Sequence, residues 1–170
     1  DGEDLELYVT DYSNNAVRKL RRVPHSSGIQ VSTSAVNGVL DTPYGVTCCH
    51  TDAHGVVLYI ACHNSSNLVR FIPGKGVPEV LAGCGRPGHV DGAGTAAALN
   101  RPNGVAVDPE GSIYVTDSGN HCVRRVTPDG VVSTLQSAHG APSSVIVCDV
   151  GVSGAGACAS PDGLRARGGV

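Results

Sequence analysis

The run "NRPNGVAVDPEGSIYVTDSGNHCVRRVTPDG", residues 100–130, alternates apolar and polar positions and is cut at short intervals by turn signals. Pro109-Glu110-Gly111 and Thr127-Pro128-Asp129-Gly130 are its clearest turns. The strings they separate are rich in Val and Ile, the composition of strands. The pattern predicts strands at 104–108, 112–116 and 122–126 and an outer strand at 131–135, four short antiparallel strands joined by loops of ordinary hairpin length. The side chains expected to face inward are Val105, Val107, Ile113, Val115, Val123 and either Val131 or Val132.

Similar strings occur twice more. "LYVTDYSNNAVRKL" (7–20), "LYIACHNSSNLVRFI" (58–72) and "IYVTDSGNHCVRRV" (113–126) fall into register on Tyr8, Tyr59 and Tyr114. Aligning Arg18, Arg70 and Arg124 as well requires one inserted residue in the middle unit. Upstream, "TPYGVTCCHTDAHG" (42–55) matches "RPNGVAVDPEG" (101–111). Downstream, "PHSSGIQVST" (24–33) and "PGKGVPEVLAG" (73–83) match "TPDGVVSTL" (127–135). A recurring supersecondary unit buries its sheet only against copies of itself. Four antiparallel strands repeated radially are the blade of a β-propeller. The expected fold is therefore all-β, a partial β-propeller of four-stranded antiparallel blades. The blades are expected at about 1–40, 41–83 and 101–137, with 84–100 a connecting loop. The segment "PSSVIVCDVG" (142–151) resembles the opening strand "PNGVAVDPEG", so 138–151 is read as the possible start of a further blade. Residues 152–170 are rich in Gly and Ala and lose the pattern, which predicts a disordered tail.

Residues 100–130 strongly resemble the NHL repeat, whose Asn-His-Leu-type triplet corresponds here to Asn120-His121-Cys122. The stretch "VLAGCGRPGHVDGAGTAAALNRPNG" (80–104) resembles the long inter-blade connection of teneurin-like and many bacterial NHL proteins. The resemblance covers roughly residues 5–135. It implies a propeller, usually of six blades, of which this chain holds about three. It also implies a binding platform more often than an enzyme. Some propellers similar to these are metal-dependent gluconolactonase-like enzymes or lyases, and some NHL propellers bind single-stranded RNA.

The recurring positions have physical readings. Gly45 and Gly104 are expected where the chain turns sharply into the innermost strand, a conformation glycine permits. Asp11 and Asp117 end the second strand, and Arg18 and Arg124 follow seven positions later. Either the Asp pairs with the Arg across the hairpin, or it accepts loop N–H bonds as in an Asx turn. In the middle unit Cys62 replaces the Asp while Arg70 is retained. The loops that follow the second strands are polar, small and different in each unit. Ser13, Asn14, Asn64, Ser65, Asn67, Gly119, Asn120 and His121 are the candidate binding residues on them.

Other function classes find less support. The acidic residues Asp41, Asp52, Asp91, Asp108, Glu110 and Asp129 read as turn formers. No Gly-x-Ser-x-Gly elbow is present, and "GCGRPG" (83–88) lacks the Lys-Ser/Thr of a phosphate loop and reads as a flexible connection. No catalytic residue, metal ligand or cofactor is assigned. The net charge is −3, and "RKLRRV" (18–23) splits its basic residues between two strand faces; with one Phe and no Trp to stack on bases, nucleic acid is an unexpected partner. No apolar run reaches the length of a membrane span. Seven cysteines without a CxxC spacing, and no visible signal segment, favour a reducing, intracellular compartment. The expected partner is a protein or peptide, and a second copy that completes the ring is a further expectation.

Overall fold

The computed structural model describes residues 6–23, 27–36, 38–51, 53–137 and 140–145. The tail expected at 152–170, and most of the further blade expected at 138–151, lie outside them. The described residues contain no α-helix. The chain is all-β and forms part of a β-propeller.

Three sheets follow one another along the chain. Blade I contains β1 (Glu6–Asp11), β2 (Ala16–Arg22) and β3 (Ile29–Val36). Blade II contains β4 (Pro43–Thr51), β5 (Gly55–Cys62), β6 (Asn67–Phe71) and β7 (Glu79–Ala82) in that spatial order. After the short strand β8 (Gly92–Ala93), blade III contains β9 (Pro102–Val107), β10 (Ile113–Asp117), β11 (Cys122–Val126) and β12 (Val131–Ser137). All pairings are antiparallel. Blade I has no strand equivalent to β4 or β9 among the described residues.

Each blade has a leading face, toward the next blade, and a trailing face, toward the one before. Tyr8, Tyr59 and Tyr114 lie on leading faces. Blade II buries Leu58, Ile60, Cys62, Val69 and Phe71 against Val17, Ala35 and Leu40. Its other side buries Val57, Tyr59, Ala61 and Leu68 against Val105, Ile113, Val115, Val126 and Val132. Small β-branched and aliphatic side chains fill both layers, as face-to-face sheet packing requires.

The register corrects four expectations. First, Tyr59 pairs with Arg70 as Tyr8 pairs with Lys19 and Tyr114 with Arg125. The middle unit therefore has no insertion, and Val69, not Arg70, occupies the position of Arg18 and Arg124. The period-2 pleat puts Arg70 on the opposite face from those two arginines. Second, β11 buries Cys122, Arg124 and Val126 on its trailing face, while Val123 lies half-buried on the leading one. Third, Gly45 and Gly104 lie within strands β4 and β9, not in a sharp turn, and neither has a positive φ. Their requirement is space. A Cβ on Gly45 would press on the Asn103 carbonyl oxygen, and one on Gly104 would stand 2.8 Å from the Ser144 Cα. The innermost strands of successive blades crowd together here. Fourth, the connection after blade II is not a free loop. The Gly83 N–H donates to the Gly94 carbonyl and the Gly88 N–H to the Leu99 carbonyl, β8 extends blade III beyond β12, and Ala97 and Leu99 enter the core.

Candidate functional site

The loops that follow the second strands gather at one end of the blades, held there by a repeated backbone device. Asn15, Ser66 and His121, one per blade, have φ near +50° (49, 50 and 53°). Thr42 and Arg101, each just before the proline that opens an innermost strand, share that conformation, with φ of 53° and 52°. Left-handed backbone is costly for residues other than glycine and persists where the surroundings hold it. The hold is visible. The Asn15 Oδ1 accepts the Thr42 N–H at 2.7 Å, and the Ser66 Oγ accepts the Arg101 N–H at 3.3 Å. The end loops of blades I and II are thus each pinned to the start of the next blade.

Below these loops stand the paired charges. Asp11 meets Arg18 at 2.8 Å and accepts from the Asn14 amide; the Arg18 bond first, then the Asn14 bond, hold its carboxyl below the usual range. In blade III, Asp117 meets Arg124 at 2.7 Å with both side chains fully buried. Asp117 also accepts the Asn100 N–H at 2.6 Å and the Asn120 amide at 2.8 Å. Arg124 further donates to the carbonyls of Ala98 and Val90 and to Asp91 at 2.6 Å. Asp91 is therefore a partner in this network and not merely a turn former. Its desolvation opposes the charge, but hydrogen bonds from the Thr134 backbone and hydroxyl and from Arg124 hold its carboxyl low. Arg70, on the other face of its blade, pairs with Glu79 at 2.6 Å and reaches the Pro128 carbonyl at 3.4 Å. Tyr8 lies under the Lys19 ammonium, Tyr59 is buried, and the Tyr114 hydroxyl donates to Asp108 at 2.9 Å.

Of the loop residues expected to bind, Ser13, Asn64, Gly119 and His121 are exposed and Ser65 is half-buried. Asn67 is buried at 5% exposure and leaves the candidate surface. Asn14 and Asn120 spend their amides on Asp11 and Asp117, and Asn120 also donates to the Gly88 carbonyl at 2.7 Å.

Beside these loops runs a ladder of side chains that crosses all three blades. The Tyr12 and Tyr44 rings lie 5.8 Å apart, and the Tyr44 and His63 rings 5.0 Å apart, tilted by 34° and 38°. His63 Nδ1 then stands 2.7 Å from the Asn103 Oδ1; opposite an amide oxygen, that ring nitrogen is the donor. Tyr12 and Tyr44 remain 58% and 50% exposed. Two sequence positions build the ladder: the first residue after the second strand (Tyr12, His63) and the residue after the innermost strand's proline (Tyr44, Asn103). Neither position was singled out in the sequence. Aligning "TPYG" with "RPNG" beyond the shared Pro and Gly was the signal that would have found the second.

The arrangement offers aromatic faces, an amide and an imidazole. Reactive-thiol chemistry is not prepared: burial pushes the Cys62 thiol up to about 12, and burial likewise raises that of Cys122 despite His89 Nε2 at 3.9 Å. Among the described residues no group of three or more His, Cys, Asp or Glu side chains is placed to hold a metal ion.

The model of the NHL repeat matches residues 99–126. The chain carries an NHL repeat. Among the curated proteins nothing matches. Several solved structures share the fold. An auxiliary nutrient binding protein from Bacteroides ovatus matches with a TM-score of 0.63 at 20% identity, over 85% of this chain and 40% of its own. A structural genomics protein of unknown function from Bacteroides thetaiotaomicron matches with a TM-score of 0.59 at 20% identity, over 82% of this chain and 38% of its own. A virginiamycin B lyase from Staphylococcus aureus matches with a TM-score of 0.57 at 16% identity, over 84% of this chain and 42% of its own. The chain thus spans about two fifths of the length of these proteins, which include both a binding protein and an enzyme.

Proposed function

We propose that this chain is a non-catalytic interaction platform that binds a protein or peptide at the loop end of its blades. One observation carries the reading: the Tyr12–Tyr44–His63–Asn103 ladder presents two half-exposed aromatic rings on a backbone that is pinned from blade to blade. Rigid aromatic side chains with a polar tip give large contact area at low entropic cost, which is why they dominate recognition surfaces. The pinned loops reduce what binding must order. The likeness to a nutrient binding protein agrees with a binding role, and the likeness to a lyase makes a metal-assisted enzyme the competing reading.

Selection from a random peptide phage library tests this. The chain is expected to enrich peptides whose binding is unchanged by EDTA and weakened more than about tenfold in the Tyr12→Ala/Tyr44→Ala variant. Enriched peptides that bind this variant as tightly as the parent would sink the proposal. Binding abolished by EDTA would favour the metal-assisted enzyme.

A further inference from the structure

Blade II has a neighbour on each side, so its loop end shows a surface with both flanks in place. Tyr44 lies between the Tyr12 and His63 rings and is still 50% exposed. Asp41 stands at the same corner. The Thr42 carbonyl accepts the His63 N–H at 2.9 Å, and the Asn64 amide reaches Asp41 Oδ1 at 3.5 Å, which holds the start of β4 against the loop after β5. Asp41 Oδ1 also accepts from the Thr42 hydroxyl at 3.1 Å. Asp41 Oδ2 accepts no hydrogen bond among the described residues, and the half-buried carboxylate makes no ion pair among them. Asp11 and Asp117, by contrast, each meet an arginine.

The repeat shows that the fold does not require this charge. Aligned on Pro43 and Pro102, Asp41 corresponds to Asn100, which serves blade III through its backbone N–H and its amide. The groups around Asp41 share one electrostatic sense. The Tyr44 ring presents a negative π face. His63 donates from Nδ1 to Asn103, which leaves Nε2 of the neutral ring an acceptor. Arg18 is engaged by Asp11 and Thr33 in blade I, and the exposed Arg101 stands one blade further on, at the position of Thr42.

We propose that this corner takes an arginine or lysine side chain of the partner, with the cation over the Tyr44 ring and its N–H groups on Asp41. The inference rests on the peptide-binding reading above and adds the chemistry of the peptide. A cation over an aromatic face is attracted by the ring quadrupole, and more strongly where water is excluded. The carboxylate at this corner, which no cation of the described residues meets, gains its counter-ion from the ligand. A guanidinium fits both partners at once, because its plane stacks on a ring while its edge donates to a carboxylate.

The test takes the peptides enriched from the random phage library and titrates each, as a synthetic peptide, against the 170-residue chain by calorimetry. The enriched sequences are expected to carry Arg or Lys at a common position. Replacing that residue by Gln is expected to weaken binding about tenfold. Asp41→Asn, checked for folding by circular dichroism, is expected to weaken the basic peptide by a similar factor and to leave its Gln version unchanged, so that the two changes are coupled. Added salt gives a second readout on the parent chain: the basic peptide is expected to lose affinity and its Gln version to keep it. Peptides that need Tyr12 and Tyr44 but bind Asp41→Asn as tightly as the parent, or that lose nothing on the change to Gln, would overturn this inference and leave the platform standing. Enrichment of acidic peptides would do the same and point to Arg101. Peptides indifferent to Tyr12→Ala/Tyr44→Ala, or no enrichment at all, would sink both readings.

Discussion

Cys62 and Val69 fill, in blade II, the two positions at which blade III buries the ion pair of Asp117 and Arg124. All four side chains are fully buried, so the same site accepts a charged pair and an apolar pair. A mixed pair is a different matter, since a buried charge without its partner is strongly destabilising.

Arg124→Val is accordingly expected to cost about 3–5 kcal/mol in urea unfolding, because it leaves Asp117 buried and deprived of its cation. The Asp117→Cys/Arg124→Val double variant, which copies blade II, is expected to be more stable than the single one. A double variant less stable than Arg124→Val would show that the N–H groups held by Asp117, above all that of Asn100, outweigh the charge pairing.

How far the sequence could be read follows from the same comparison. Strand positions and turn types were legible because hairpin chemistry is local: Pro109-Glu110-Gly111 lies between β9 and β10. Matching by identity nevertheless placed Arg70 with Arg18 and Arg124, whereas strand pairing preserves spacing from the tyrosine and puts Val69 there. Burial of an arginine was equally hidden, because the alternation of β11 does not reveal that Asp91, from a distant connection, arrives to neutralise it. The ladder was illegible for a further reason. Its two recurring positions hold Tyr and His in one case and Tyr and Asn in the other, so neither keeps its residue type from blade to blade, and only the crowding of successive blades brings the four side chains together.

That crowding gives a second prediction. Gly45→Ala is expected to destabilise by about 1–3 kcal/mol, since the added methyl meets the backbone of β9 and neither strand can move without disturbing its sheet. Gly38→Ala, with nothing within 4 Å of the added atom, is expected to stay within about 0.5 kcal/mol of the parent. Equal effects at the two positions in thermal melts would refute the close-approach argument.

Acid should weaken the fold through Asp11. Its folded pKa lies below the unfolded value, chiefly because Arg18 donates to it, so its contribution is present above the ordinary carboxylate pKa of about 4 and is lost as pH falls through the folded value. The Asp11→Asn variant is expected to lose less stability than the parent between about pH 5 and pH 2. Chemical denaturation repeated across that window checks the sign, and parallel curves for the two proteins would contradict it.

Thiol reactivity should divide the cysteines by burial. Cys48 and Cys84 are exposed, and a maleimide or disulfide reagent in native buffer is expected to modify them first. Cys62 has no exposed surface, and its burial pushes the thiol up to about 12, so almost no thiolate exists near neutrality. Cys122, also buried and raised, is shielded in the same way. Both are expected to react only on the timescale of unfolding, at a rate that rises with added urea. Peptide mapping by mass spectrometry after a short native pulse distinguishes the two groups. Early modification of Cys122 would mean that the contact with His89 at 3.9 Å activates the thiol, and the non-catalytic reading would then have to yield to a nucleophilic one.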